Sequence, residues 1–341
     1  MRILFFLVSF LFFLNAFSAN EKLIFSIDII RHGDRTPIFS IPSAPHEWKE
    51  GLGQLTAVGM QQEYQLGLKL HKRYMDEYHL LSKNYSHETM EVKSTDFDRT
   101  IMSAECVLLG LYPSGPKLSS GEFALPNGYQ PIPIQIEYKS ENPVIRQDTE
   151  SEKIKALVEK YVYTTEDWKN KTKELQPKFA YWSQLTGVKI THLSQLKSLG
   201  DALFIFKVHH IPFPKNMSSK DANEIMEAGG WVMAAMFQPQ KIGELTGKNI
   251  LIAVSNYLDA ARTQKSPLKF VLLSAHDSTI LSVMSAMNAP LSKTPPYSSD
   301  LNIALFKADS NYFVKVKLND QPVSIPACGG TVCTLEQFMK L

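Results

Sequence analysis

The segment Lys22–Ile30 (KLIFSIDII) is almost continuously apolar and rich in isoleucine. Such a run suits a strand in the middle of a sheet, covered on both faces. It breaks off at Arg31-His32-Gly33-Asp34-Arg35, and Pro37 closes the turn. Two further strands are expected to end in the same manner. Thr89–Ser94 runs into Thr95-Asp96-Phe97-Asp98-Arg99, and Phe270–Ser274 leads to His276-Asp277. Helices are expected between and after them. Thr56 reads as an N-cap, with Met60, Tyr64, Gly67, Leu68, His71 and Met75 on one face of the helix that follows. Ser103–Leu111 and Ser278–Asn288 are helical in pattern, and Leu301–Lys307 with Tyr312–Leu318 form a hairpin. This order predicts an α/β sandwich whose central sheet is mostly parallel.

The middle of the chain differs. Pro126, Pro131, Pro133 and Pro143 mark a loop-rich passage, and from Glu150 to about Phe237 the pattern is helical and polar outside. The expected organisation is an α/β core of residues 19–112 and 238–341, interrupted by a mainly helical cap over 113–237. Residues 1–18 stand apart. Arg2 precedes the apolar stretch Ile3–Leu14, and small residues around Ser18 offer a cleavage point. A spanning helix needs about 20 apolar residues, so this shorter run reads as a signal peptide. The expectation is a secreted or periplasmic protein, lysosomal or extracellular in a eukaryote, with no membrane association after cleavage.

In open α/β sheets, ligands bind beyond the carboxyl ends of the strands. If the three strands are neighbours, Arg31, His32, Arg35, Arg99, His276 and Asp277 meet in one crevice. Three converging arginines repel one another unless an anion lies among them. Planar guanidinium groups suit a tetrahedral oxyanion.

These segments resemble those of a known family. RHGDRTP at Arg31–Pro37 fits the RHGxRxP signature of the histidine acid phosphatases. STDFDRTIMSA at Ser94–Ala104, GLGQLTAVGM at Gly51–Met60 and the pair His276-Asp277 match in the same order. The similarity is greatest to the prostatic and lysosomal types, and its motifs run from about Lys22 to Cys333. It implies a phosphoglycerate-mutase-like sandwich and hydrolysis of phosphomonoesters without cofactor or metal. His32 becomes the nucleophile that forms a phosphohistidine. Arg31, Arg35, Arg99 and His276 bind the phosphoryl oxygens, and Asp277 donates the proton. Asp34 fills a variable position and receives no catalytic role, and Gly33 lets the backbone turn around the phosphate. His209-His210 reads as a surface or cap pair, while Trp48 and the loop 47–53 either border the pocket or merely pack. Phytases of this superfamily typically carry HDxN. This chain has His276-Asp277-Ser278-Thr279, which favours a general or small-substrate phosphatase.

Composition narrows the alternatives. Of 341 residues, 36 are basic and 34 acidic, giving a net charge of +2. No field of that size holds a nucleic acid, and no basic run with interleaved aromatics occurs. The expected partners are small phosphomonoesters, with a homodimer left open. A mutase-like transferase would share the RHG histidine, but that branch supplies a Glu as its acid. A binding module without catalysis would have no use for both His32 and Asp277. Of three cysteines, Cys328 and Cys333 sit either side of a glycine-containing tetrapeptide. An oxidising compartment favours a disulfide there, worth about 2 kcal/mol at most in so small a ring. Cys106, in an apolar run, reads as an inert buried thiol.

Overall fold

The computed structural model describes residues 21–139, 144–145 and 151–341. The leader read as a signal peptide lies outside them. Eight strands form one sheet: β1 (Lys22–Arg31), β2 (Met90–Thr95), β3 (Gln135–Glu137), β4 (Phe270–Ala275), β5 (Asp300–Ala308), β6 (Asn311–Leu318), β7 (Gln321–Pro322) and β8 (Val332–Thr334). The order is β3-β2-β4-β1-β5-β6-β7, with β8 on β6. The strands β3, β2, β4 and β1 pair with one another in parallel, whereas β1 with β5 and the pairings beyond it are antiparallel.

Alternation along the central strands explains the layers. Ile27 and Ile29 of β1, with Val271 and Leu273 of β4, point to one face. There they pack against α9 (Lys248–Arg262) and α10 (Asp277–Ala286). Ile30 and Leu272 point to the other, onto α1 (Ala57–His71) and α2 (Asp98–Leu111). A third apolar cluster gathers α3 (Glu152–Tyr161), α4 (Glu166–Leu175), α5 (Phe179–Thr186), α6 (Leu196–Val208) and α7 (Ser219–Ala235) around Trp182 and Phe206. The short helices α8 (Gln240–Thr246) and α11 (Leu335–Phe338) complete the set. Strand β3 falls within residues 113–237 and lies at the sheet's edge, whereas the α3–α7 cluster is held to the rest through Ile41, Ile242 and Leu281. Cys328 and Cys333 are disulfide-bonded, with Cα atoms 5.0 Å apart. No helix among the described residues is long and apolar enough to cross a membrane.

Thr56 caps α1 as expected, its side chain accepting from the Gly59 amide. The inner face of that helix differs from the pattern reading. Gly59, Glu63, Leu66, Gly67 and Leu70 face inward, whereas Met60 and Tyr64 are exposed. The cause is Glu63, a carboxylate on the buried face, which breaks the apolar period that a pattern relies on. Helix α2 also begins earlier than expected, because the Thr100 hydroxyl bonds the Phe97 carbonyl and so tightens the first turn.

Glu63 belongs to a buried polar cluster beneath the sheet. Asp28, in the middle of β1, is fully buried and accepts hydrogen bonds from the Tyr74 hydroxyl and the Asn302 amide. Arg73, on the π-helical extension of α1, pairs with Asp300 at 2.9 Å and approaches Asp28 at 3.6 Å. Arg73 thus serves two buried carboxylates and also the half-exposed Asp320 at 2.6 Å, while Glu63 lies near Asp300. Burial raises the carboxyl pKa values of Asp28, Glu63 and Asp300, and Asp300 adds to the rise at Asp28 and Glu63, while Arg73 offsets part of it at Asp28 and Asp300. A carboxyl whose folded-state pKa is raised holds its proton more tightly than in the unfolded chain. Its contribution to stability is full below the ordinary carboxyl range and is lost as pH rises towards neutrality. Asp277 and Asp320, whose pKa values are lowered, act oppositely in stronger acid. The melting temperature should therefore be higher at about pH 5 than at about pH 8. In Glu63→Gln the difference should shrink, mainly through gain at the higher pH. Calorimetry across that range reads both.

Candidate functional site

The order β2-β4-β1 makes the three charged strand ends adjacent. The His32 amide donates to the Ala275 carbonyl at 3.1 Å, which ties the turn after β1 to the end of β4. Arg31 ends β1, His32 and Arg35 follow it, and Arg99 lies in the first turn of α2 after β2. His276 is the residue preceding α10, and Asp277 is its first residue. The six residues singled out in the sequence meet at one end of the sheet.

Each guanidinium is held in place. Arg31 donates to the Pro295 carbonyl at 2.6 Å and pairs with Asp277 at 3.0 Å. Its plane lies 4.1 Å from the centre of the Tyr297 ring. Arg35 reaches both carboxylate oxygens of Asp201, at 3.0 and 3.2 Å. Arg99 donates to the Gly53 carbonyl at 3.3 Å and lies over Phe97 at 4.3 Å. Burial and the nearby charge of Arg35 lower its pKa to about 10, so it stays protonated. Weakly hydrated planar cations are well suited to such aromatic faces.

His32 is buried at the centre. Its Nδ1 lies 2.8 Å from the Gly33 carbonyl, a contact that requires the proton on Nδ1 and leaves the Nε2 lone pair unprotonated. Burial, then Arg99, His276, Arg31 and Arg35, hold its pKa well below that of an ordinary imidazole. His276 Nε2 lies 3.0 Å from the Thr95 hydroxyl, with its ring edge-on to His32 at 5.5 Å between centroids. Burial pushes the Asp277 carboxyl up, but Arg31, Arg35 and His276 outweigh it and hold the group below the usual carboxylate range. The Ser278 amide at the start of α10 donates to the same carboxylate at 2.7 Å.

Four participants were not legible as such in the sequence. Asp201 supplies the counter-charge of Arg35 from helix α6, and Tyr297 supplies the surface beneath Arg31. The one available signal was Asp201 itself, an acidic residue within the apolar run Leu199–Phe206. Asp34 and His209 are the other two. Asp34 is fully buried, and its Oδ2 lies 2.6 Å from His209 Nε2. Only His210 is at the surface, so the two histidines are not an equivalent pair. The loop 47–53 does border the site, through the Gly53 carbonyl, while Trp48 packs edge-on against His209.

A cleft of about 510 Å³ opens beside Arg31, Arg35 and Asp277. Its walls include Phe204, Met226, Met233 and Tyr297, with Lys197 as its one lysine. No group of three or more His, Cys, Asp or Glu side chains among the described residues is placed to hold a metal ion.

Residues 22–319 match the model of the histidine phosphatase superfamily (branch 2). The chain is 29% identical to lysosomal acid phosphatase of Xenopus laevis, over 98% of this chain and 79% of that protein. It is 28% identical to human prostatic acid phosphatase, over 98% and 89%. With human testicular acid phosphatase it shares 30%, over 94% and 78%. In fold it resembles Hafnia alvei phytase in complex with myo-inositol hexakis sulphate, with a TM-score of 0.69 at 15% identity, covering 94% of this chain and 96% of the other.

Gly33 also allows a close approach between the 31–35 loop and α1. A Cβ there would lie 2.5 Å from the Gly59 carbonyl oxygen, and one on Gly59 would lie 2.1 Å from the Asp34 carbonyl oxygen. The two glycines let the 31–35 loop sit directly on the start of α1. Gly59→Ala must displace that loop. Turnover should fall by about 100-fold, as expected of a shift near 1 Å in a reacting group. Steady-state kinetics beside a melting curve would check it.

Proposed function

The chain belongs to branch 2 of the histidine phosphatase superfamily, and from that premise we propose that it is an acid phosphatase acting through a phosphohistidine on His32. The observation that carries this reading is the state of His32: a neutral imidazole, tautomer fixed by the Gly33 carbonyl, among three guanidinium groups. In most settings a histidine among acid-range solutes gains a proton and ceases to be a nucleophile. Here the arginines that hold the phosphoryl oxygens also keep the nucleophile unprotonated.

The sequence of events follows from charge. Arg31, Arg35, Arg99 and His276 bind the three non-bridging oxygens, where charge is spread during transfer. His32 Nε2 forms a bond to phosphorus as the bond to the leaving oxygen breaks. In the empty site Asp277 is ionised and paired with Arg31. A bound phosphoryl group competes for Arg31 and Arg35, and the pull that lowered the Asp277 pKa weakens. Burial then dominates and favours the protonated carboxyl, which delivers its proton to the leaving oxygen. In the second half a water attacks the phosphohistidine, Asp277 accepts the water's proton, and inorganic phosphate departs.

This account predicts greater activity in acid. As pH rises, Asp277 loses its proton and the ester passes its second ionisation near about pH 6. The cleft supports esters bearing a single phosphate, since Lys197 is its only lysine and Asp34 and Asp201 also line it. Secretion is part of the same reading. The apolar run after Arg2 supports a signal peptide over residues 1–18, and Asn84, Asn170 and Asn216, each beginning an Asn-x-Ser/Thr triplet, are exposed.

His32→Ala should lose nearly all turnover yet still bind vanadate weakly, because the arginines remain. Acid-labile phosphate trapped on the wild-type chain, and absent from the variant, is the expected companion result. A second expectation separates proton transfer from phosphoryl binding. A positioned acid contributes about 10² to 10⁴ in rate, and most when the leaving oxygen is a poor one. Asp277→Asn should cripple turnover of a sugar phosphate far more than phosphoenzyme formation from an activated aryl ester. His276→Ala should slow both alike. Single-turnover phosphorylation with both esters decides the matter, and equal losses for Asp277→Asn would remove it as the acid.

A further inference from the structure

Asp34 lies between two residues of the site, Gly33 and Arg35, and is fully buried. Its main chain is fixed by α1: the amide donates to Gln62 Oε1 at 2.8 Å, and the carbonyl accepts from the Thr56 amide at 3.0 Å. Its side chain does something else. Oδ2 accepts from the Thr56 hydroxyl at 2.6 Å and from His209 Nε2 at 2.6 Å, while Oδ1 has no hydrogen-bond partner. A buried carboxylate with one oxygen unsatisfied is costly unless its remaining bonds are strong, and this one is short and charge-assisted.

His209 immediately follows α6, the helix whose Asp201 grips Arg35. The helix is thus fixed to the 31–35 loop at two points, one on Arg35 and one on Asp34. Between them Phe204 and Val208 line the cleft. The position of the His209 ring is set from outside by Trp48, edge-on at 5.2 Å. We propose that His209 and Asp34 are a positioning pair. Their bond holds the end of α6 against the loop, so that Arg35 and its partner Asp201 stay in the geometry that receives the phosphoryl group in the transition state. Asp34 also lines the cleft, but the pair is assigned no role at the reacting atoms. The inference rests on the phosphatase reading above.

Two groups of substitutions separate the bond from the ring. His209→Phe keeps a ring against Trp48 but cannot donate to Asp34, and His209→Leu is a second non-donor should the first not fold. His209→Gln loses the ring but retains an N–H donor on a side chain of similar reach. The readout is inhibition by vanadate, which mimics the five-coordinate transition state, compared with inhibition by inorganic phosphate, which does not. Loss of positioning should weaken vanadate about tenfold or more and lower kcat in parallel, while phosphate binding and KM change little. His209→Gln should recover most of both. A non-donor variant that folds, turns over at the wild-type rate and keeps the wild-type ratio of vanadate to phosphate inhibition would overturn the proposal. So would a His209→Gln variant that loses as much as His209→Phe. Failure of the underlying reading looks different: the wild-type chain itself would then neither release phosphate nor respond to vanadate.

Discussion

The constraint on which this site depends is the mutual repulsion of three guanidinium groups beside a histidine that must stay neutral. At a separation of about 6 Å and an effective dielectric near 20, each pair of like charges repels by about 3 kcal/mol. Something must offset that before any substrate arrives. Asp277 faces Arg31, Asp201 faces Arg35, and main-chain carbonyls of Pro295, Thr36 and Gly53 take further guanidinium N–H groups. These partners come from the loop after β1, the loop 47–53, helix α6, helix α10 and the loop before β5. Much of the chain is therefore arranged around one excess of positive charge. An arriving dianion replaces carboxylates rather than filling an uncompensated hole, so the empty site remains stable and still has reason to bind phosphate.

The same excess settles the chemistry of the two titrating groups. It lowers the pKa of His32 together with burial, and it lowers the pKa of Asp277 against burial. Neutralising the arginines relaxes both effects. In the proposed reaction the imidazole is then occupied by bonding to phosphorus, whereas the carboxyl is left with desolvation as its main influence. One event in that proposed reaction, the arrival of phosphoryl oxygens, thus changes Asp277 from a counter-ion into an acid. No movement of the backbone is required for this.

Much of the site was visible in the sequence because it is local. An apolar strand that stops at a charged residue declares where the sheet ends, and β1, β2 and β4 all stop in that way. Adjacent positions on one strand end cannot be far apart in space, so Arg31, His32 and Arg35 were secure, and the order of the sheet brought Arg99, His276 and Asp277 to them. What was not visible is what reaches the loop from a distance. Asp201 is 166 residues from Arg35 and His209 is 175 from Asp34, and no period or turn signal links such positions. Glu63 illustrates a second limit. A pattern reading assumes that buried means apolar, so a carboxylate on the inner face of α1 shifted the whole face by one position. In both cases polar groups are buried by partners that only the folded chain supplies.

Those buried polar groups are also what link the fold to its chemistry. Asp28 lies three residues before Arg31 on the same strand, and Glu63 directly follows Gln62, whose side chain holds the Asp34 amide. The acidic cluster is thus built into the elements that carry the 31–35 loop. Arg73 pairs with Asp300 and Asp320 and approaches Asp28, while Glu63 lies near Asp300, so ionisation gathers several negative charges around one guanidinium. Asp28 and Glu63 sit on β1 and α1, and the 31–35 loop leaves the one and rests on the other. Acid conditions favour the protonated form of these carboxyls, and in the proposed reaction they also favour the protonated Asp277. The acid preference predicted for the fold and that proposed for the reaction thus arise from two different sets of residues, one short of positive charge and the other holding it in excess.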